Sequence, residues 1–220
     1  MHFVLESAIN TQSKYSPKKL SEFIFPNNNV RDVVMAYASG SIHRPLLLSG
    51  PNGTGKSLLA QLIPCAIEGR NIEVKKWTAE DLQKSETLSQ AFDYDAQFSR
   101  LFAPEGKKMR YHLIEEMNFR MRHTDKLKVI LDTDSAYDLT FITTNAVNNI
   151  DIGLRSRCEI LTVEPCTPDL FLPHAMKIFQ NEKIDIDEAL VLRTLRSVHN
   201  RRPDNRKYYE AIDTIFRKLP

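Results

Sequence analysis

The run Gly50-Pro51-Asn52-Gly53-Thr54-Gly55-Lys56-Ser57 constrains this chain more than any other stretch, because its spacing is that of a loop that wraps phosphate. Glycines let successive backbone N–H groups turn inward, and a helix starting at the loop's end directs its positive pole to the same point. The frame this requires is present, with an apolar strand candidate at 45–49 before the loop and an apolar helix candidate from Ser57 and Leu58 onward. Three of the chain's seven glycines fall inside the loop, which argues against a chance turn. Lys56 then supplies a mobile charge for the β and γ phosphates, and Ser57 a hydroxyl ligand for Mg²⁺.

Further strand candidates at 72–77, 111–115, 139–143 and 159–163 alternate with helix candidates. The helices are expected at 30–35, after Lys56, after Thr78, at 88–101 and at 118–131. Alternation of this kind predicts a mostly parallel sheet with helices on both faces. Thr78-Ala79-Glu80-Asp81 reads as a capped helix start, and Pro64 is expected to kink or end the phosphate-loop helix before Gly69. The pattern changes at Pro165-Cys166-Thr167-Pro168, after which only helix candidates at 169–182, 187–199 and 204–219 remain. This predicts an α/β nucleotide-binding domain over 1–164 and a small all-helical lid over 165–220.

Composition excludes several classes. No apolar run is long enough to span a bilayer, and residues 1–6 show no cationic leader or long apolar stretch, so cytoplasmic residence is the expectation. Cys65, Cys158 and Cys166 form no Cys-x-x-Cys pair, which argues against a disulfide framework or zinc module and leaves them as packing residues. A net charge of +2 means that any nucleic-acid contact must come from a local patch.

A strand that ends in carboxylates is the natural partner of a phosphate loop, and His112-Leu113-Ile114-Glu115-Glu116 supplies one. One acid, Glu115, can hold Mg²⁺ through water, and the other, Glu116, can orient or deprotonate the attacking water. Asn145, at the end of the strand at 139–143, either shares that water or is a turn residue. Arg155 and Arg157, just before the last strand, offer planar paired donors suited to charge spread over phosphate oxygens. Trp77 and His112, flanked by apolar residues, read as packed structural side chains.

Lys14-Tyr15-Ser16-Pro17-Lys18, the phosphate loop, Leu113-Ile114-Glu115-Glu116, Thr143-Thr144-Asn145 and Leu154-Arg155-Ser156-Arg157-Cys158 stand in the order and spacing of AAA+ ATPases. Within that family the chain resembles the clamp-loader group, replication factor C small subunits and their phage and archaeal counterparts. In the lid, Pro203-Asp204-Asn205-Arg206-Lys207 is similar to the segment that carries the family's second sensor. The resemblance implies ATP and Mg²⁺ as ligands, with Tyr15 and Pro17 near the adenine, Asn145 as first sensor and Arg206 reaching the γ phosphate. It also implies that Arg157 is an arginine finger acting in a neighbouring subunit, and so that the chain assembles into a ring or filament with itself or related subunits. Arg155 is either a second interfacial arginine or a partner in a local salt bridge.

Three departures qualify the resemblance. Glu115 stands where the family has aspartate, Ser16 replaces an arginine, and no collar domain follows the lid within these residues. The extra methylene of Glu115 displaces its carboxylate by about one C–C bond length, so altered Mg²⁺ geometry and slow hydrolysis are expected. Lys107, Lys108 and Arg110 before the acidic strand, and Arg120, Arg122, His123, Lys126 and Lys128 after it, make the candidate DNA surface, with a solvated charged face as the alternative. A second basic cluster is Arg201, Arg202, Arg206 and Lys207. Two functions are consistent with this pattern: an ATPase that loads or remodels a DNA-bound protein, or an ATP-controlled oligomeric switch such as a helicase loader, transposition regulator or defence component. A pore-loop protein remodeller would need an aromatic loop that the sequence lacks.

Overall fold

The computed structural model describes residues 10–84, 88, 92, 109–133 and 138–218. In chain order the elements are α1 (Thr11–Tyr15), α2 (Asn28–Ala38), β1 (Leu46–Ser49), α3 (Lys56–Glu68), β2 (Lys75–Thr78), β3 (Arg110–Glu115) and α4 (Thr124–Thr133). They continue with β4 (Asp138–Thr144), α5 (Ile152–Arg155), β5 (Glu159–Thr162), α6 (Pro168–Asn181), α7 (Glu188–Arg201) and α8 (Asn205–Phe216). Two compact units result. One comprises Asn27–Pro51 and Gly55–Val163, and the other comprises Met1–Pro26, Asn52–Thr54 and Glu164–Pro220. Among the described residues no helix is long and apolar enough to cross a membrane.

The first unit is built on a parallel sheet in the order β2-β3-β4-β1-β5. Central strands of such a sheet are covered on both faces and should be apolar throughout. All four residues of β1 and all seven of β4 are buried, whereas the edge strands β2 and β5 alternate between covered and exposed positions. Parallel pairing puts every strand's carboxyl end on one edge of the sheet. Ser49 lies level with Thr144, and Thr78 level with Glu115. Below that edge, Leu47, Ile114, Met117, Leu127, Ile142 and Leu154 share one apolar core.

Local expectations differ from the structure at three places. Helix α3 runs through Pro64 to Glu68 and ends at Gly69, whose φ of 64° suits a glycine cap. An internal proline costs about 3 kcal/mol, but Leu59, Ala60, Leu62 and Ile63 are buried on the same helix at roughly 1.5–3 kcal/mol for each large side chain, so packing wins. After Thr78 there is only a 3-10 turn at Asp81–Gln83, closed by hydrogen bonds in both directions between Thr78 and Asp81. The helix expected at 118–131 starts only at Thr124, because the Asn118 side chain and carbonyl are used elsewhere. The helix expected at 88–101 lies outside the described residues.

The second unit packs α6, α7 and α8 around Phe171, Ala175, Phe179, Val191, Leu195 and Tyr208. Their amino ends are capped by Thr167, Asp187 and Asp204, each accepting a backbone N–H. Helix α1 joins this unit: Thr11 donates its N–H to Asp213 and its hydroxyl to the Tyr209 carbonyl. Cys166 and Cys158 are buried and Cys65 is half-buried; burial raises the first two thiols to about 12, consistent with packing roles.

Between β3 and β4 a buried polar cluster joins the strands. Asp138 accepts from His112 Nε2 at 2.9 Å and from Arg110 Nη2 at 2.5 Å. Burial pushes the Asp138 carboxyl up, but the hydrogen bonds from His112 and Arg110 outweigh it and hold the group below its usual range. A depressed folded-state pKa stabilises above the unfolded value near 3.9 and is lost as pH falls through the folded one. Asp138→Ala should therefore cost about 1–3 kcal/mol at pH 7 by urea unfolding, because it leaves the half-buried Arg110 and the buried His112 without their acceptor. The gap to the parent should narrow below about pH 4; a constant gap from pH 7 to pH 3 would refute the assignment.

Candidate functional site

Strand β1 delivers the loop and α3 receives it. Gly50, Gly53 and Gly55 take φ values of 137°, 77° and 93°, which side chains with a Cβ rarely adopt. At Gly50 the constraint is also steric, since a Cβ there would lie 2.3 Å from the Val163 carbonyl oxygen. Lys56 is 9% exposed, and its ammonium donates to the carbonyls of Gly50 at 2.8 Å and Pro51 at 2.6 Å. Thr54 is buried, Pro51 and Asn52 are exposed, and Ser57 and Leu58 are half-buried in the first turn of α3. Left-handed glycines with no room for a Cβ, next to a buried ammonium at a helix start, fit a nucleoside triphosphate. Among the described residues no three His, Cys, Asp or Glu cluster as a metal cage. Mg²⁺ commonly takes one or two protein oxygens and completes its shell with phosphate and water, so Ser57 and Glu115 fit that demand.

At the end of β3 the two acids diverge. Glu115 is the last strand residue and half-buried, whereas Glu116 is exposed with φ 56°, a left-handed conformation unusual for a glutamate. The turn is held from β4: Glu116 N–H donates to Thr143 Oγ1 at 3.2 Å and Met117 N–H to the Thr143 carbonyl at 2.9 Å. Asn118, which the sequence placed at a helix start, braces the arrangement. Its Oδ1 accepts from Asn145 N–H at 2.9 Å and Thr144 Oγ1 at 3.2 Å, and its carbonyl accepts from Asn149 Nδ2 at 2.9 Å. Asn145 is thus anchored by its backbone while its residue is exposed at the sheet edge. The available signal was the poor fit of an asparagine in a helix just after a strand.

Arg157 is held by residues of its own chain. Its guanidinium makes three hydrogen bonds of 2.8–2.9 Å to the Asp132 carboxylate on α4, and Nη1 donates to the Gly153 carbonyl at 2.8 Å. Arg44 steadies the segment by donating to the carbonyls of Ser156 and Cys158. The nearby Arg155 has a buried Nε with no partner.

Within the helical unit, which includes the loop tip Asn52–Thr54, Asn205 N–H donates to the Gly53 carbonyl at 3.1 Å. Asp204, 3% exposed, caps α8 and holds Arg206 through Nε at 3.2 Å and Nη2 at 3.0 Å. A Cβ on Gly53 would sit 1.7 Å from Asp204 Oδ1. Tyr15 donates its hydroxyl to Glu182, which Lys14 also engages, and Pro17 is half-buried.

The basic residues divide. Lys128 binds Asp125 and Asp151 at 3.1 and 2.9 Å, and those hydrogen bonds, Asp151's first, raise its pKa. Arg120 lies 3.8 Å from Asp151 with its side chain 79% exposed. Arg122, exposed, and His123 precede α4 rather than belonging to it, and Lys126 is half-buried on it. Lys107 and Lys108 lie outside the described residues.

A sequence profile of the ATPase family associated with various cellular activities (AAA) matches residues 46–165. The DNA polymerase III subunit gamma of Buchnera aphidicola subsp. Schizaphis graminum is 26% identical over 188 residues, or 74% of this chain and 51% of that protein. The chain thus spans about half the length of this curated relative. Among solved structures, the RuvB Holliday junction branch migration motor of Thermotoga maritima superposes with a TM-score of 0.62 at 16% identity, over 92% of this chain and 72% of that one. A DNA replication initiation factor gives 0.64 at 16% identity, over 94% and 65%. At that identity these two likenesses establish the fold alone.

The glycine contacts make a paired prediction. Gly50→Ala and Gly53→Ala should each lose about 1–3 kcal/mol in chemical unfolding, from backbone strain and the close approach. Adding Asp204→Ala should recover part of the loss for Gly53→Ala, whose clash is with a side chain. It should recover none for Gly50→Ala, which meets a backbone carbonyl. Equal recovery in both would contradict these contacts.

Proposed function

Because the chain belongs to the ATPase family associated with various cellular activities, we propose that it binds ATP with Mg²⁺ at residues 50–58, hydrolyses it, and assembles with like subunits to load or remodel a DNA-bound partner. The observation that carries this reading is the shared edge of the sheet. The phosphate loop follows β1, Glu116 follows β3 and Asn145 follows β4, all on carboxyl ends that pairing holds level. Lys56 would neutralise phosphate charge, Glu116 would take the proton of the attacking water, and Asn145 would orient that water. Bound Mg²⁺, held by Ser57 directly and Glu115 through water, would supply charge neutralisation at the phosphates. Tyr15 and Pro17 would flank the adenine, Arg206 would act from the same chain's lid, and Arg157 would act in the neighbouring subunit. The likeness to a DNA polymerase III subunit supports DNA as the setting, with Arg120, Arg122 and Lys126 as the described phosphate contacts.

The Arg157–Asp132 pair favours a second reading, an ATP-controlled oligomeric switch with slow turnover, since the finger has a partner within its own subunit. Glu115 in place of aspartate points the same way. ATP turnover measured with and without primed duplex DNA, at two salt concentrations and with Lys56→Ala as the blank, separates the two. The loading reading expects DNA stimulation that salt suppresses, because phosphate contacts release counterions. Slow turnover indifferent to DNA, with ATP-dependent oligomers, would favour the switch. Mixing Arg157→Ala with Glu116→Gln subunits should restore part of the activity if the finger acts in trans; no restoration refutes that role.

Asn118→Ala should lower turnover by about tenfold or more while leaving ATP affinity near the parent value, since it loosens the water-positioning ends of β3 and β4 and spares the loop. Equal losses in affinity and turnover would mean that Asn118 only supports the fold.

A further inference from the structure

Within the helical unit, α7 and α8 border a groove of about 760 Å³ that opens to solvent. Its floor is apolar, with Leu190, Val198 and Ile215 among the lining residues, and Leu190 is 39% exposed. Its rim is basic: Arg201, Arg202, Lys207 and Lys218 against the single acid Glu210. Lys207 and Glu210 pair with each other at 2.7 Å, so Arg201, Arg202 and Lys218 meet no acidic side chain among the lining residues. On α7 the lining positions 190, 194, 198 and 201 follow one stripe, about 16 Å long at 1.5 Å per residue.

We propose that this groove docks a short acidic amphipathic helix of a partner protein. Three features select this occupant. An apolar floor between two helices is the surface that an amphipathic helix covers, and the stripe matches about three helical turns. The uncompensated rim cations complement carboxylates that flank such a helix. Nucleic acid is a poor match, because no aromatic side chain lines the groove to stack a base, and an apolar floor gives nothing to phosphate. None of the lining residues is among those assigned to nucleotide chemistry, so the docking needs neither ATP nor DNA.

The test uses the full chain and a fluorescein-labelled helical peptide with leucine at every third or fourth position and glutamates on its flanks. The comparison probes are the same peptide with lysine for every glutamate, the same peptide with serine for every leucine, and a labelled single-stranded DNA of similar length. Fluorescence anisotropy should show micromolar binding of the acidic peptide, with about tenfold or weaker binding of either altered peptide. Leu190→Asp and Lys218→Glu, both at exposed positions, should each weaken the acidic peptide severalfold while circular dichroism is unchanged. No binding up to about 1 mM peptide would overturn the proposal. So would equal binding of acidic and lysine peptides, binding insensitive to both variants, or DNA binding that Leu190→Asp abolishes. Concentration-dependent self-association lost in Leu190→Asp would instead identify the occupant as a second copy, and would also overturn it.

Discussion

Everything at the candidate site depends on the parallel register that β4 imposes on β1 and β3. Leu46 to Ser49 pair with Phe141 to Thr144, while Arg110 to Ile114 pair with Asp138 to Ile142. β4 is buried along its full length between β1 and β3, so a one-residue slip would push each side chain into the packing of the opposite face and part the bonds from Arg110 and His112 to Asp138. The register is therefore held by burial, and it sets the height at which the phosphate loop, Glu116 and Asn145 leave the sheet. Thr143 then converts height into orientation, because its hydroxyl and carbonyl accept the two N–H groups that bend the chain after β3.

The cations assigned to chemistry all have local partners. Lys56 donates to loop carbonyls, Arg157 to Asp132 and Arg206 to Asp204. These attachments differ in kind. Asp204 is buried, caps its own helix and lies against Gly53, so its hold on Arg206 belongs to the architecture of the unit. Asp132 has a side chain half exposed to solvent, where water screens the pair and makes exchange for another anion inexpensive. The Arg157 guanidinium is therefore ordered by a partner that an incoming anion can displace, whereas Arg206 is tied to a buried one.

The features legible in the sequence were those that depend on near neighbours. The phosphate loop, the five strands and the three C-terminal helices follow from glycine spacing, apolar runs and helix caps such as Thr167 and Asp187, and they appear within a few residues of their expected bounds. What was not legible depends on distant residues. Asn118 abandons a helix because its partners lie 26 to 31 positions away, and Arg157 finds Asp132 at a separation of 25. Pro64 stays helical because the core beneath α3 outweighs a local penalty. Thr78 shows the reverse case, a correct cap signal followed by a single 3-10 turn, since a cap satisfies the first amides without supplying the apolar face that extends a helix.

The two glutamates after β3 also obey different constraints, and this bears on the missing aspartate. Glu115 is still in the ladder, level with Thr78, so its Cα is fixed by the sheet and the extra methylene must be absorbed by its side chain. Glu116 has left the ladder at φ 56°, a conformation that costs on the order of 1–3 kcal/mol and persists only because Thr143 and Asn118 hold the turn closed. A longer acid at the fixed position reaches toward a ligand with more rotamer freedom, while the acid at the bent position is directed by backbone strain. The Glu115 carboxylate can therefore change position without disturbing the turn that orients Glu116.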